Sequence, residues 1–100
     1  MPTLFKNGVY FFWRDSKFKI VYDKRAVDLD EVVSVFQDPN EITQIDDRFD
    51  YDEERLRTIG MSKYGRLLVV AWTEVDDENV TIITVYKPSD TQIKEYSHAN

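Results

Sequence analysis

The pattern of apolar residues along the chain predicts four strands. Val9 to Trp13 is β-branched and aromatic throughout, which is typical of a strand. Three further apolar segments, at 55–61, 66–75 and 80–87, are separated by short polar turns and predict an antiparallel meander. The segment from Leu67 to Val75 is apolar on both faces, so we expect it to be the central strand, covered on both sides.

A helix is predicted from Val27 to Phe36. Asp28 can cap its first turn, with Glu31 three residues later as in a capping box, and Val27 can pack onto Val32. Pro39 prevents the helix from continuing. The buried stripe of this helix is expected to consist of Leu29, Val32, Val33 and Phe36.

Two other segments bear on the number of helices. After Pro88, Ser89 and Gln92 form the pattern of a second capping box, which predicts a short final helix. Ser16 to Arg25 is ambiguous, because its apolar residues fit both the alternation of a strand and one face of a helix.

Length and composition indicate one small domain over residues 1–100. The chain has 42% hydrophobic residues, enough for a single core, and no cysteine, which excludes a disulfide scaffold, a thiolate metal site and a cysteine nucleophile. The N-terminal residues lack the apolar core of a signal peptide, and no segment is apolar enough to span a membrane. We therefore expect a cytoplasmic protein without membrane contact.

The net charge of -6 is distributed unevenly along the chain. Residues 1–25 and 55–73 each carry a balance of +4, whereas residues 26–54 carry -10. An acidic protein repels nucleic acid at long range, but the two basic segments form one positive face if the fold brings them together. The ordinary alternative is that these charges only solvate the surface.

Several sites with recognisable chemistry are not supported. The acidic stretch from Asp46 to Glu54 lacks the glycine and glutamate positions of a calcium-binding loop, so no metal is expected. With three glycines in the chain, no glycine-rich phosphate loop can form, and no cofactor is expected. His98 is the sole histidine and lies near the C-terminus, where chains usually fray, so we assign it no catalytic role.

What remains is a set of cations and tyrosines. Arg55 and Arg57 lie on one side of their predicted strand, Arg66 opens the next strand, and Tyr86 ends the last one. Such cations can bind phosphate, and a tyrosine can stack on a base or transfer a proton. They can equally cover sheet edges and pair with the many acidic residues.

The order of short motifs resembles the BrnT family, the toxins of bacterial type II toxin–antitoxin modules. The resemblance covers residues 11–96. In the N-terminal half it includes Phe11, Trp13, Lys17, Lys24 to Val27 and Val35 to Pro39. In the C-terminal half it includes Glu54-Arg55, Thr58 to Gly60, Ser62 to Val70 and Thr73-Glu74.

This resemblance implies a RelE-like α+β fold. We expect a small antiparallel sheet, made of the three-stranded meander plus the N-terminal strand, packed with two N-terminal helices and a short C-terminal helix. The resemblance assigns Ser16 to Arg25 to the first of these helices. It implies a metal-independent endoribonuclease that inhibits growth and is neutralised by a ribbon–helix–helix antitoxin similar to BrnA, in a complex compatible with a heterotetramer. DNA is then contacted only through the antitoxin.

The candidate catalytic residues follow from the resemblance and from what RNA cleavage by a 2′-hydroxyl requires. The reaction needs a proton acceptor, a proton donor to the leaving oxygen and positive charge at the phosphate. Lys17 or Glu54 is the candidate acceptor, and Tyr86 is to stack or donate. The phosphate is assigned to Arg55 and Arg66, with Arg25 supplying charge where the family has histidine. These cations are expected to be exposed and to share one cleft.

Two alternatives stay open. The chain departs from the family at Arg25, Ala26, Thr81, Tyr86 and Gln92, which favours a catalytically degenerate member that binds its antitoxin or RNA without cleavage. A protein unrelated to toxins that uses the acidic stretch to bind a basic partner is the other alternative. In the toxin interpretation, we expect the same stretch, Asp46 to Glu54, to lie near the antitoxin.

Overall fold

The protein is described by a computed structural model over residues 3–6, 8–13, 20–22, 25–46 and 54–98. Eight strands and two helices follow one another along this part of the chain. They are β1 (Thr3–Lys6), β2 (Val9–Trp13), β3 (Ile20–Tyr22), β4 (Arg25–Val27), α1 (Leu29–Val35), β5 (Ile42–Ile45), β6 (Leu56–Met61), β7 (Leu67–Asp76), β8 (Asn79–Tyr86) and α2 (Asp90–His98).

The main sheet has six strands in the order β1-β2-β8-β7-β6-β5, and it is mixed. β6, β7 and β8 form the antiparallel meander, and β2 pairs with β8 in parallel, with Phe11 opposite Val80. The predicted fold is therefore wrong in sheet size and type. The sequence pattern located β2, β6, β7 and β8, but β1 and β5, which pair at the two edges, were not predicted.

The prediction of two N-terminal helices is also wrong. β3 and β4 pair as an antiparallel ribbon, with Ile20 opposite Val27 and Tyr22 opposite Arg25. In the described part of the ambiguous segment, the alternation of apolar residues therefore corresponds to a strand and not to a helix. Pairing with β4 provides hydrogen-bond partners for the backbone of β3. The remainder of the predicted helix, residues 16–19 and 23–24, lies outside the described residues.

One face of the main sheet carries the hydrophobic core. Val32, Val33 and Val35 of α1 are at most 1% exposed, and they belong to one apolar cluster with residues of the sheet. The sheet contributes Phe11, Trp13, Leu68, Val70, Ile82 and Val85 to this cluster. We call this the α1 face, and the opposite side the distal face.

Side chains alternate between the two faces along the strands. A register shift between β7 and β8 interrupts this alternation, so that Ile82 and Val85 both lie on the α1 face. Val69 and Ala71 of β7 lie on the distal face and are also buried, so this inner strand is covered on both sides, as predicted.

The contact between α1 and β6 depends on a glycine. A Cβ atom at Gly60 would lie 2.8 Å from Cγ1 of Val35 and 3.0 Å from the Val35 carbonyl oxygen. Real Cβ contacts are essentially never that short, so only glycine lets the end of α1 approach the strand this closely. Gly60 therefore sets the position of α1 on the sheet.

The first residue of α1 is capped as predicted, but the capping box is only half formed. The side chain of Asp28 accepts a hydrogen bond of 2.8 Å from the backbone N–H of Glu31. The Glu31 side chain does not return the bond to Asp28, because it binds a turn on the other side of α1. The apparent capping glutamate has a tertiary partner instead.

The final helix begins with the complete capping box that the sequence predicted. The backbone N–H of Ser89 donates to Oε1 of Gln92 at 2.9 Å, and that of Gln92 donates to Oγ of Ser89 at 3.2 Å. α2 contacts β6 but has no buried residue among those described. None of the helices in the described ranges is long and apolar enough to cross a membrane.

A hydrogen bond from Tyr96 to Asp38 joins α2 to the loop after α1. The two oxygen atoms are 2.6 Å apart, and Oδ2 of Asp38 also accepts from the backbone N–H of Met61. Burial opposes ionisation of Asp38, but the bonds from Tyr96 and the backbone outweigh it and hold the pKa of that carboxyl below its usual value. Burial and the bond to Asp38 raise the pKa of Tyr96 to about 12.

We expect Gly60→Ala to destabilise the protein by about 1–3 kcal/mol, because the added methyl group overpacks the contact with Val35. Chemical denaturation of Gly60→Ala, Val35→Ala and the double variant measures this cost and its coupling. The penalty at Gly60 should be smaller when Val35 is alanine, since Cγ1 is then absent. Additive effects, or a parent-like midpoint for Gly60→Ala, would contradict this account.

We expect Tyr96→Phe to lower the free energy of unfolding by about 1 kcal/mol near neutral pH, through loss of the bond to Asp38. Because the pKa of Tyr96 is raised in the folded state, its contribution is complete below about pH 10 and is lost as the pH rises toward about 12. Denaturation curves of both proteins from pH 7 to 11 should therefore converge at the alkaline end. A constant difference would show that the hydroxyl has another role.

Candidate functional site

Arg66 lies in a buried ion pair on the α1 face. Its Nε donates to Oε2 of Glu31 at 2.8 Å, and its second terminal nitrogen donates to Oε1, so the contact is bidentate. The side chains of Arg66 and Glu31 are 12% and 2% exposed. The expectation that Arg66 is an exposed cation is therefore wrong, and its charge is neutralised by a carboxylate of α1.

The same turn makes further bonds to α1. Oγ of Ser62 donates to Oε2 of Glu31 at 2.8 Å, and the backbone N–H of Lys63 donates to Oγ of Ser34 at 2.9 Å. An ion pair between Lys63 and Asp30 lies at the surface of this junction. The turn from Ser62 to Arg66 is thus fixed to α1 by a polar network, and a positive φ of 77° at Gly65 allows its tight reversal.

Arg57 lies on the distal face, where Gln44 and Asp46 are its neighbours. One terminal nitrogen is 3.9 Å from Oδ1 of Asp46, and the other is 3.4 Å from Oε1 of Gln44. Both contacts are long for charge-assisted hydrogen bonds, and the buried Nε of Arg57 has no hydrogen-bond partner. The guanidinium therefore retains unused donors and is 21% exposed as a side chain.

Arg55 shares this face. The backbone N–H of Asp46 donates to the Arg55 carbonyl at 2.7 Å, which continues the pairing of β5 and β6 by one residue. Strand alternation then directs Arg55 and Arg57 to the same side. Glu54 is exposed immediately before them, and its carbonyl accepts a hydrogen bond from Thr73.

Tyr86 also belongs to the distal face. It lies opposite Val69 of β7. The adjacent pair, Val85 and Val70, belongs to the cluster on the α1 face, so Tyr86 and Val69 lie on the opposite face. The Tyr86 side chain is half-buried and its hydroxyl oxygen is shielded from solvent. Arg55, Arg57 and Tyr86 thus share one face of the sheet.

The structure does not bring Arg66 together with Arg55. Arg55 precedes β6, whereas Arg66 follows the turn at the other end of that strand, roughly 20 Å away at the rise of an extended chain. The two side chains also belong to opposite faces of the sheet. They do not share a cleft, so the two arginines cannot hold one phosphate in this conformation.

Three predictions fall wholly or partly on residues that the structure does not describe. Lys17 lies outside the described residues, as do residues 47–53 of the acidic stretch. The backbone of Arg25 forms part of β4, and its side chain lies outside the description. Within the described ranges, no group of three or more His, Asp or Glu side chains is arranged to hold a metal ion.

Residues 13–91, which are most of the chain, match the family model of the ribonuclease toxin BrnT of type II toxin–antitoxin systems. The chain belongs to the BrnT family. No individually curated protein matches it. The resemblance inferred from the short motifs is thereby confirmed, and the BrnT chain is a member of a family of ribonuclease toxins.

Arg57 is the site residue that sequence reasoning left out of the candidate set. The signal was present, because Arg55 and Arg57 are two residues apart and a strand places such residues on one face. What the sequence did not show is the difference in partners. Arg66 has a bidentate carboxylate, whereas Arg57 has two long contacts. The fold makes Arg57 the better candidate for an external anion.

We expect Arg66→Ala to lower the free energy of unfolding of this BrnT protein by about 3–5 kcal/mol, because the buried Glu31 carboxylate loses its counter-charge. Lys63→Ala is the matched control, since it breaks a second ion pair between the same turn and α1 at the surface. Its cost should be about 0–1 kcal/mol. Chemical denaturation compares the two, and similar small losses would contradict the structural role of Arg66.

Proposed function

We propose that this BrnT protein is a metal-independent endoribonuclease whose phosphate-binding charge comes from the distal face of the sheet. Family membership supports the reaction class, and the weakly engaged guanidinium of Arg57 beside Arg55 supports the location. A phosphate can accept hydrogen bonds from the two terminal nitrogens of Arg57, whose contacts to Asp46 and Gln44 are long.

The proposed reaction uses the 2′-hydroxyl of the RNA as the nucleophile. Its oxygen attacks the adjacent phosphorus, the bond to the 5′-oxygen breaks, and the products carry a 2′,3′-cyclic phosphate and a 5′-hydroxyl. A proton moves from the 2′-hydroxyl to an acceptor, for which Glu54 and Lys17 remain the candidates. Another proton moves to the leaving oxygen, with Tyr86 as the candidate donor, and this role requires its hydroxyl, which is shielded in this structure, to become accessible to the RNA. Arg55 and Arg57 stabilise the charge that develops on the phosphate.

Membership of a type II toxin family also leads us to propose a cellular role. The protein inhibits growth by cleaving RNA in the cytoplasm. A cognate ribbon–helix–helix antitoxin neutralises it in a heterotetramer. In this proposal Arg25 contributes charge from β4, whereas Arg66 contributes through the fold because Glu31 already neutralises it.

We expect Arg57→Ala to reduce RNA cleavage by about a hundredfold, because it removes a preorganised charge at the phosphate. Cleavage of a synthetic single-stranded RNA in the presence of a chelator, with mass analysis of the product ends, measures the rate and tests the chemistry. Arg57→Lys, which keeps the charge but not the fork, should retain part of the activity. Growth arrest on induction should follow the same order.

Lys94→Ala and His98→Ala are the control variants. Both side chains are exposed on α2, so their removal should leave cleavage unchanged. Lys94→Ala removes one positive charge, as Arg57→Ala does, and His98→Ala removes the sole histidine. Melting temperatures separate loss of chemistry from loss of fold, since Arg57 also faces the buried Asp46. A parent protein that binds RNA or antitoxin without cutting RNA would favour the catalytically degenerate alternative. The loss of activity would then be attributed to the positions at which this chain departs from the family pattern.

A further inference from the structure

The edge of the sheet formed by β1 and β2 presents three aromatic rings on the distal face. The ring centroids of Phe5 and Tyr10 are 4.5 Å apart, and those of Tyr10 and Phe12 are 6.4 Å apart, with only 26° between the latter planes. Phe5 is 50% exposed and Tyr10 is 43% exposed. These rings form a row that we call the aromatic strip.

Core packing does not account for the aromatic strip. The alternate residues of the same two strands, Leu4, Phe11 and Trp13, pack into the apolar cluster beneath α1. Phe5 of β1 and Tyr10 of β2 lie opposite each other on the distal face. Large exposed aromatic side chains grouped on one surface mark an interaction site more often than single exposed residues do.

The strip lies on the same face as the candidate phosphate-binding arginines. Phe12 is opposite Thr81, and Thr81 is opposite Thr73. Because Leu56 is opposite Trp72, the preceding residue Arg55 comes beside Thr73. Three strand spacings separate the two ends of this row, or about 15 Å. The two ends of the row therefore lie within the span of one extended ligand with both aromatic and anionic groups, while Thr73 between them is itself buried.

We propose that Phe5, Tyr10 and Phe12 form a base-stacking subsite for single-stranded RNA, next to the phosphate site of Arg55 and Arg57. This inference rests on the proposed function and names the form of the substrate. Base stacking on exposed rings is tolerant of sequence, since every base has a π-face, and cations beside the rings hold the backbone. Bases paired in a duplex are already stacked on each other and do not present that face.

The size of the strip favours RNA over a second protein surface. An aromatic side chain buries at most about 250 Å², Phe5 and Tyr10 are about half covered and Phe12 is covered further, so the strip offers at most roughly 300 Å². A stable protein interface needs about 800 Å² from each partner. Stacking of a few bases needs only the ring faces themselves.

The test measures binding of the purified full-length chain to a fluorescent 2′-O-methyl oligouridylate, which cannot be cleaved because its nucleophilic oxygen is blocked. Phe5→Ala with Tyr10→Ala should weaken binding at least tenfold, since each stacked base contributes substantially to affinity. The dependence of affinity on salt should stay unchanged, because no phosphate contact is lost. Arg55→Ala with Arg57→Ala should instead reduce the salt dependence.

Tyr64→Ala is the matched control, because it removes an exposed aromatic ring from the turn after β6, and it should bind like the parent. Phe5→Tyr, which keeps a ring, should also bind like the parent. Parent-like affinity of the double aromatic variant overturns the proposal, as does an effect confined to self-association or antitoxin binding. This readout is separate from cleavage, so a chain that stacks RNA without cutting it supports this inference and contradicts only the proposed activity.

Discussion

A carboxylate buried between α1 and the β6–β7 turn organises this protein. Glu31 is 1% exposed and is held by Nε and one terminal nitrogen of Arg66 and by the hydroxyl of Ser62. Isolated charges are costly to bury, so removing either partner of this pair would leave an uncompensated charge between α1 and the turn. Gly60, which admits α1 close to β6, is the steric counterpart of the same junction.

α1 packs on one face of the sheet, and the candidate binding residues lie on the other. The distal face is also buried across the central strands, at Ile59, Val69 and Ala71. It additionally carries Arg55, Arg57 and Tyr86 together with the aromatic strip. In a chain with a net charge of -6, such a local grouping of cations matters more for an anionic ligand than the total does. Strand alternation thus places the candidate RNA site on the face opposite α1.

Sequence reasoning was accurate where local chemistry decides the structure. Ser89 and Gln92 cap α2 reciprocally, and Asp28 caps α1, because capping bonds join residues three apart and need no tertiary partner. It was inaccurate where distant pairing decides. β1 and β5 are four-residue edge strands that are too short to show a periodicity, and β3 forms a ribbon where a helix was predicted.

The same division applies to the site. The sequence by itself determined the family, the four longer strands of the main sheet and the placement of Arg55 and Arg57 on one side of a strand, since motif order and strand alternation are properties of the chain. Only the tertiary structure decided that Arg66 is neutralised by Glu31 and that Arg57 keeps unused donors. The two residues of that ion pair are 35 positions apart in the chain. A local sequence pattern therefore cannot predict which cation pairs with the buried carboxylate.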